Sequence, residues 1–179
     1  LINCHSYLTY NICKELVPDR TNFIPHALPN DVYFPIPDKN YVRNAKKQLL
    51  GESKKDNFTL FWVNRNAKRK RPNDVLWAWS LFMKKLEEKH GKKDATLLMH
   101  TQPDDPEGPN LYSAVEMLGI GDSVIFSPER VEFEKMNILH NISDCCINLA
   151  YAEGFGLATL EAMQVGKPII ALKTGGLTR

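Results

Sequence analysis

Two glutamates, Glu153 and Glu161, bracket a glycine turn and the start of an apolar helical phrase, Ala-Glu-Gly-Phe-Gly-Leu-Ala-Thr-Leu-Glu-Ala-Met, from Ala152 to Met163. A pair of carboxylates that hydrolyses a glycosidic bond works at roughly 5 to 9.5 Å. Eight helical positions separate two residues by about 12 Å of rise. The spacing therefore suits two grips on one elongated ligand better than a shared scissile bond. Gly154 and Gly156 permit positive φ or close backbone approach. The N–H groups of Phe155, Gly156 and Leu157, at a helix N-terminus, can point at an anion or at sugar hydroxyls. Glu153 can equally be a loop acid favoured by the helix dipole. Glu161 sits among Leu157, Leu160, Ala162 and Met163, so it needs a partner or ligand unless it lies on the edge of an amphipathic helix.

A second constellation is the loop Asn64-Arg65-Asn66-Ala67-Lys68-Arg69-Lys70-Arg71. A rigid guanidinium fork and a mobile ammonium near a helix start form a candidate diphosphate clamp. Four consecutive basic residues can instead be a solvated face or a nucleic-acid patch. The placement of the loop decides between these readings.

That placement follows from an alternation of strands and helices beginning at Phe58. Strands are expected over 58–63, 95–99, 123–126, 145–149 and 168–172. Helices are expected over 75–88, after Pro109 to about Leu118, over 132–141 and over 156–165. Asn73 or Asp74 is the expected cap of the first, and Pro109 is expected in the first turn of the second. Five strands separated by helices imply a parallel, doubly wound α/β sheet, whose ligands bind beyond the carboxyl ends of the strands. The basic loop and the Glu153 loop then share one sheet edge, which favours a phosphate-containing ligand. Lys173 to Gly176 reaches the same edge.

Upstream, residues 1–35 read as a strand, a helix near Tyr7 to Leu16 and a strand around Asn22 to Ile24, ending in a run of prolines. A polar stretch follows, so the expected organisation is the end of one domain over 1–35, a linker over 36–57 and a second domain over 58–179. The 179 residues are 43% hydrophobic and 25% charged, with a formal charge of +2. This is a globular composition with no global field for nucleic acid. Cys4, Cys13, Cys145 and Cys146 lack zinc spacing and read as free thiols in a reducing compartment. No run reaches the roughly 18 apolar residues of a membrane span. The opening on Leu1 and the stop after an apparent strand read as an excerpt of a longer protein.

Taken in order, several phrases resemble one family. Glu153-Gly154-Phe155-Gly156-Leu157 with Glu161-Ala162-Met163 is similar to the paired-glutamate signature of retaining GT-B glycosyltransferases of group 1, or family 4 type. Phe23 to Ala27 and Val32 to Pro35 resemble the end of that family's N-terminal domain. Val63-Asn64-Arg65 with Lys70 resembles its donor loop. Ile142 to Ile147, and Gly166 to Ala171 with Gly175-Gly176, resemble the strands on either side of the glutamate motif. The resemblance implies a Rossmann-like domain that holds a nucleoside-diphosphate sugar, with transfer of a hexose-type sugar to a sugar, lipid or protein acceptor.

By the same resemblance, Arg65 and Lys70 neutralise the diphosphate and Glu153 lies by the transferred sugar. Glu161 accepts bonds from the ribose, and Gly154, Phe155, Gly156, Leu157, Gly175 and Gly176 shape the donor site. No cofactor and no catalytic metal are implied, and no nucleic acid. A cytoplasmic setting is implied, with room for peripheral contact at the cytoplasmic face of a membrane. The excerpt alone is expected to lack turnover. Asn64 stands where the family usually has glycine. His26-Ala27 stands where many members have Asn-Gly, which puts His26 in the interdomain crevice. Arg179 stands where a glutamate often follows the double glycine. A non-catalytic nucleotide-sugar-binding protein and a basic nucleic-acid module are the alternatives; a nicotinamide enzyme is disfavoured because the first strand lacks the glycine-rich fingerprint.

Overall fold

A computed structural model describes residues 1–178, and Arg179 lies outside the described residues. The chain begins with strand β1 (Ile2–Cys4), helix α1 (Tyr7–Leu16) and strand β2 (Thr21–Phe23), and the two strands pair in parallel. Ser6 starts α1 by accepting from the Thr9 N–H. The proline-rich segment after Phe23 then crosses to the second, larger sheet.

The stretch expected as a linker over 36–57 contains helix α2 (Lys39–Leu50). Asp38 caps it, accepting from the N–H groups of Asn40 and Tyr41 at 2.9 and 3.0 Å. High lysine and asparagine content masked a narrow apolar stripe, in which Val42, Ala45 and Leu50 join the core beneath the sheet. Lys46 is buried with them because its ammonium meets the Asn57 carbonyl at 2.6 Å and the Asp144 carboxylate at 3.1 Å. A buried amine of this kind requires such partners.

Strand β3 (Phe58–Val63) leads into helix α3 (Pro72–His90), strand β4 (Ala95–His100) and helix α4 (Leu111–Leu118). Strand β5 (Val124–Phe126), helix α5 (Phe133–Ile142), strand β6 (Cys145–Asn148), helix α6 (Leu157–Gln164) and strand β7 (Ile169–Ala171) follow. Two caps differ from expectation. The N-cap of α3 is Arg71, in the left-handed region at φ 55°, with Pro72 preset in the first turn and Asp74 paired to the Arg71 side chain. The cap of α4 is Asn110, which accepts from the Ser113 N–H, so Pro109 lies just outside the helix.

The five strands lie in the order β5-β4-β3-β6-β7, all parallel. Alternate side chains of the central strands enter opposite cores. Leu60, Trp62, Leu97, Met99, Cys145 and Ile147 pack with Val75, Leu76 and Trp79 of α3 on one face. Phe61, Leu98 and Cys146 pack with Leu139 and Ile142 of α5 and Ala162 of α6 on the other. Strand order reverses between β3 and β6, so the chain leaves a crevice at their carboxyl ends. No helix among the described residues is long and apolar enough to cross a membrane, and the four cysteines are free.

Candidate nucleotide-sugar site

The crevice is a cleft of about 390 Å³ lined by His26, Val63, Asn64, Lys70, Glu153 and the Phe155 to Ala158 segment. It joins the end of β3, the loop after β6 and the proline-rich crossover. A larger hollow of about 710 Å³ lies at the other end of the sheet, beside Asn57, Ala95 and Ser123. There the strands begin, and the Glu153 and Lys70 loops do not reach it.

Lys70 and Glu153 meet across the cleft floor. Lys70 Nζ lies 2.5 Å from Glu153 Oε1, with the two side chains 10% and 7% exposed. Asn148 Nδ2 donates to the same oxygen at 3.1 Å and to Thr159 Oγ1 at 3.2 Å, while its own oxygen accepts from the Ala150 N–H. The end of β6 thereby fixes the carboxylate. The basic run is woven into the same loop: Tyr151 N–H donates to the Arg69 carbonyl at 2.7 Å, and Arg69 Nη1 donates to the Ala152 carbonyl at 3.1 Å. With Arg71 on Asp74, three of the four consecutive basic side chains have partners within the chain. That is the behaviour of a structural loop, and it counts against a nucleic-acid patch.

The turn before α6 needs its glycines for different reasons. Gly156 is the N-cap at φ 90°, a conformation that strains any L side chain. Gly175, at φ 49°, and Gly176 press against the turn from below. A Cβ on Gly175 would overlap the Glu153 carbonyl, and one on Gly176 would overlap the Gly154 carbonyl. Gly176 N–H also donates to the Glu153 carbonyl at 3.0 Å. Gly154 has open space around it and no positive φ, so nothing local demands glycine there. The amides of Phe155, Gly156 and Leu157 donate no backbone hydrogen bond among the described residues, leaving an open helix N-terminus at the cleft.

Glu161 projects from α6 toward α5 and does not line the cleft with Lys70. Tyr33 Oη donates to its Oε1 at 3.2 Å, and His140 Nε2 lies 3.1 Å from its Oε2. His140 is fully buried, edge-on to Phe61 and Tyr33. Burial, with Glu161 close by, pushes the Tyr33 phenol far up, so it stays a neutral donor. The crossover is fixed beside it, because Phe34 and Ile36 N–H groups donate to the side chains of Asn137 and Asn141 at 3.2 and 2.8 Å. The partner that Glu161 requires is therefore protein. Tyr33 and His140 were missed in the sequence, although a histidine among Ile138, Leu139 and Ile142 signals a buried polar contact.

Arg65 stands on the shoulder of the cleft, outside its lining, held by acids of the loop after β4. Its Nε and Nη2 reach Asp105 at 2.8 and 3.3 Å, and Nη1 reaches Glu107 at 3.1 Å. His26 is in the lining, stacked on His5 with centroids 4.2 Å apart and edge-on to Phe155 at 4.9 Å.

A parallel doubly wound sheet with an open helix N-terminus and a buried lysine at its switch point defines a class of α/β protein whose ligands bind beyond the carboxyl ends of the strands. Residues 42–179 match the model of the glycosyl transferases group 1 family, and the chain belongs to that family. It is 30% identical over 99% of its length to N-acetyl-alpha-D-glucosaminyl L-malate synthase of Bacillus anthracis, of which it spans 42%. A D-inositol 3-phosphate glycosyltransferase of Mycolicibacterium smegmatis is 34% identical over 42% of this chain and 16% of its own. Two solved structures share the fold. HepE of Anabaena, crystallised with UDP and glucose, superposes with a TM-score of 0.79 at 20% identity over 99% of this chain and 46% of its own. Sucrose-phosphate synthase of Thermosynechococcus elongatus superposes at 0.76 and 22% identity over 98% and 41%. The architecture is thus that of GT-B glycosyltransferases, and the chain spans less than half the length of these proteins.

Proposed function

We propose that this chain forms the donor-binding part of a retaining glycosyltransferase that moves a hexose-type sugar from a nucleoside-diphosphate sugar to an acceptor. One observation carries the reading. Lys70, Glu153, His26 and the open N-terminus of α6 converge on one cleft at the switch point. The diphosphate would lie against the amides of Phe155 to Leu157 and share Lys70 with Glu153, with Arg65 closing over it from the shoulder. Glu153, steadied by Asn148, would face the transferred sugar.

Glu161 keeps acceptor capacity for ribose hydroxyls. A carboxylate has about four lone-pair sites, and Tyr33 and His140 occupy one on each oxygen. During transfer the bond from the anomeric carbon to the β-phosphate oxygen breaks. The acceptor oxygen bonds to that carbon on the same face, and its proton passes to the departing diphosphate. Lys70 and Arg65 would stabilise the charge that develops there, so we assign the reaction no metal. Chelator treatment is expected to leave transfer unchanged. Four free thiols, three of them buried, support a cytoplasmic setting.

Isothermal titration with UDP-, GDP- and ADP-sugars tests the reading. One donor is expected to bind, and Arg65→Ala and Glu161→Ala are each expected to weaken it by about tenfold, the scale of a lost charge-assisted bond. Absence of binding to every donor would contradict it.

A further inference from the structure

Arg65 is held by two acids that differ in kind. Asp105 is 12% exposed and grips two nitrogens of the guanidinium, Nε and Nη2, through both its oxygens. Its backbone is fixed: the Asp105 N–H donates to the Gln102 carbonyl, and its own carbonyl accepts from Gly108 N–H at 3.0 Å. Asp105 Oδ1 also accepts from the Glu107 N–H at 3.0 Å. The whole loop is built onto the segment that carries Arg65. Asn66 Nδ2 donates to the carbonyls of Pro103 and Pro109 at 3.0 and 2.8 Å, Lys68 N–H donates to the Glu107 carbonyl, and a Cβ on Gly108 would overlap Asn66.

Glu107 is different. Its side chain is 59% exposed, and it meets only the Nη1 corner of Arg65. An exposed single-point ion pair of this sort is screened by salt and readily exchanged; the two-point fork on the fixed Asp105 carboxylate, 12% exposed against 57% for Arg65, is less so. The Arg65 guanidinium therefore has one edge anchored and one corner covered by a replaceable anion.

We propose that Asp105 is the positioning residue for Arg65, and that Glu107 occupies the corner of the guanidinium which an incoming diphosphate oxygen takes over. This rests on the reading of Arg65 as a diphosphate ligand. Asp105 orients the fork before the ligand arrives, so less side-chain freedom is lost on binding. Glu107 competes with the phosphate for Nη1, and binding moves its carboxylate into solvent.

The test is titration of this chain with UDP, GDP and ADP, followed by the tightest of the three against Glu107→Gln, Asp105→Asn, Arg65→Ala and the double variants with Arg65→Ala. Glu107→Gln is expected to tighten binding about two- to fivefold at low salt, the range of an exposed pair, with the gain fading as salt rises. Asp105→Asn is expected to weaken it. Both effects are expected to vanish in the Arg65→Ala background, which a merely structural role of the loop would not produce. If no nucleoside diphosphate binds, the donor reading itself fails; if one binds and Arg65→Ala changes nothing, Arg65 is not its ligand and the inference fails while the donor reading stands. If the wild-type chain binds and Arg65→Ala weakens it, yet Glu107→Gln is neutral or weaker, the inference fails alone. Tighter binding by Asp105→Asn would overturn the positioning role in the same way. Should Asp105→Asn lose its fold, the exposed Glu107→Gln variant decides.

Discussion

At the scale of single residues, the buried Lys70 and Glu153 pair couples stability to the site. Each neutralises the other in a cleft wall where an unpaired charge is costly, so Lys70→Ala leaves Glu153 with Asn148 alone. We expect it to lower unfolding free energy by about 3 to 5 kcal/mol, whereas an apolar replacement of both partners costs much less. Urea titration of the single and double variants checks this. His100 offers a pH test. Burial first, then the nearby His140, hold its pKa below the ordinary 6.5, although Ser127 hydrogen-bonds it. The unfolded chain thus takes up this proton at higher pH than the folded one. Its contribution is whole above about pH 6.5 and is lost as pH falls toward the lowered value. His100→Gln is expected to flatten the stability profile below about pH 6.5 relative to wild type, read as thermal midpoints as the pH falls.

At the scale of elements, the Glu153 turn is held in shape by the glycines beneath it. Gly176→Ala would drive a methyl group into the Gly154 carbonyl and the Phe155 Cα, both backbone atoms that cannot yield cheaply. We expect a loss of about 1 to 3 kcal/mol together with weakened donor binding. Gly154→Ala meets nothing and is expected to stay within about 0.5 kcal/mol of wild type; differential scanning calorimetry of the two variants separates them. Local sequence carried this level well where pattern is strong. Phe58 to Val63 read as a strand from its apolar and β-branched run, and the structure places β3 there. Helix α2 was hidden because its polar faces outnumber a narrow stripe, and its buried Lys46 looks like any surface lysine until Asp144 and Asn57 are brought to it. The cap of α3 was misread because a left-handed arginine before proline leaves no side-chain signature.

At the scale of the whole molecule, strand order turns distant segments into one site. Residues 70 and 153 meet because β6 lies beside β3 on the far side from β4, and the alternation of strands and helices pointed to that edge; the proline-rich crossover brings His26 to them. What the sequence left undecided was the pairing among those groups. Side-chain partners across 83 residues, such as Lys70 with Glu153, or across 40, such as Arg65 with Asp105, depend on loop geometry that no local pattern encodes. The central claim is that a nucleoside diphosphate binds at the N-terminus of α6. Backbone amide NMR of this chain titrated with UDP, GDP and ADP tests it most directly. The account predicts that one of them shifts Phe155, Gly156 and Leu157 together with the Lys70 loop; shifts confined to the hollow beside Asn57 and Ser123, or none with any of the three, would contradict it.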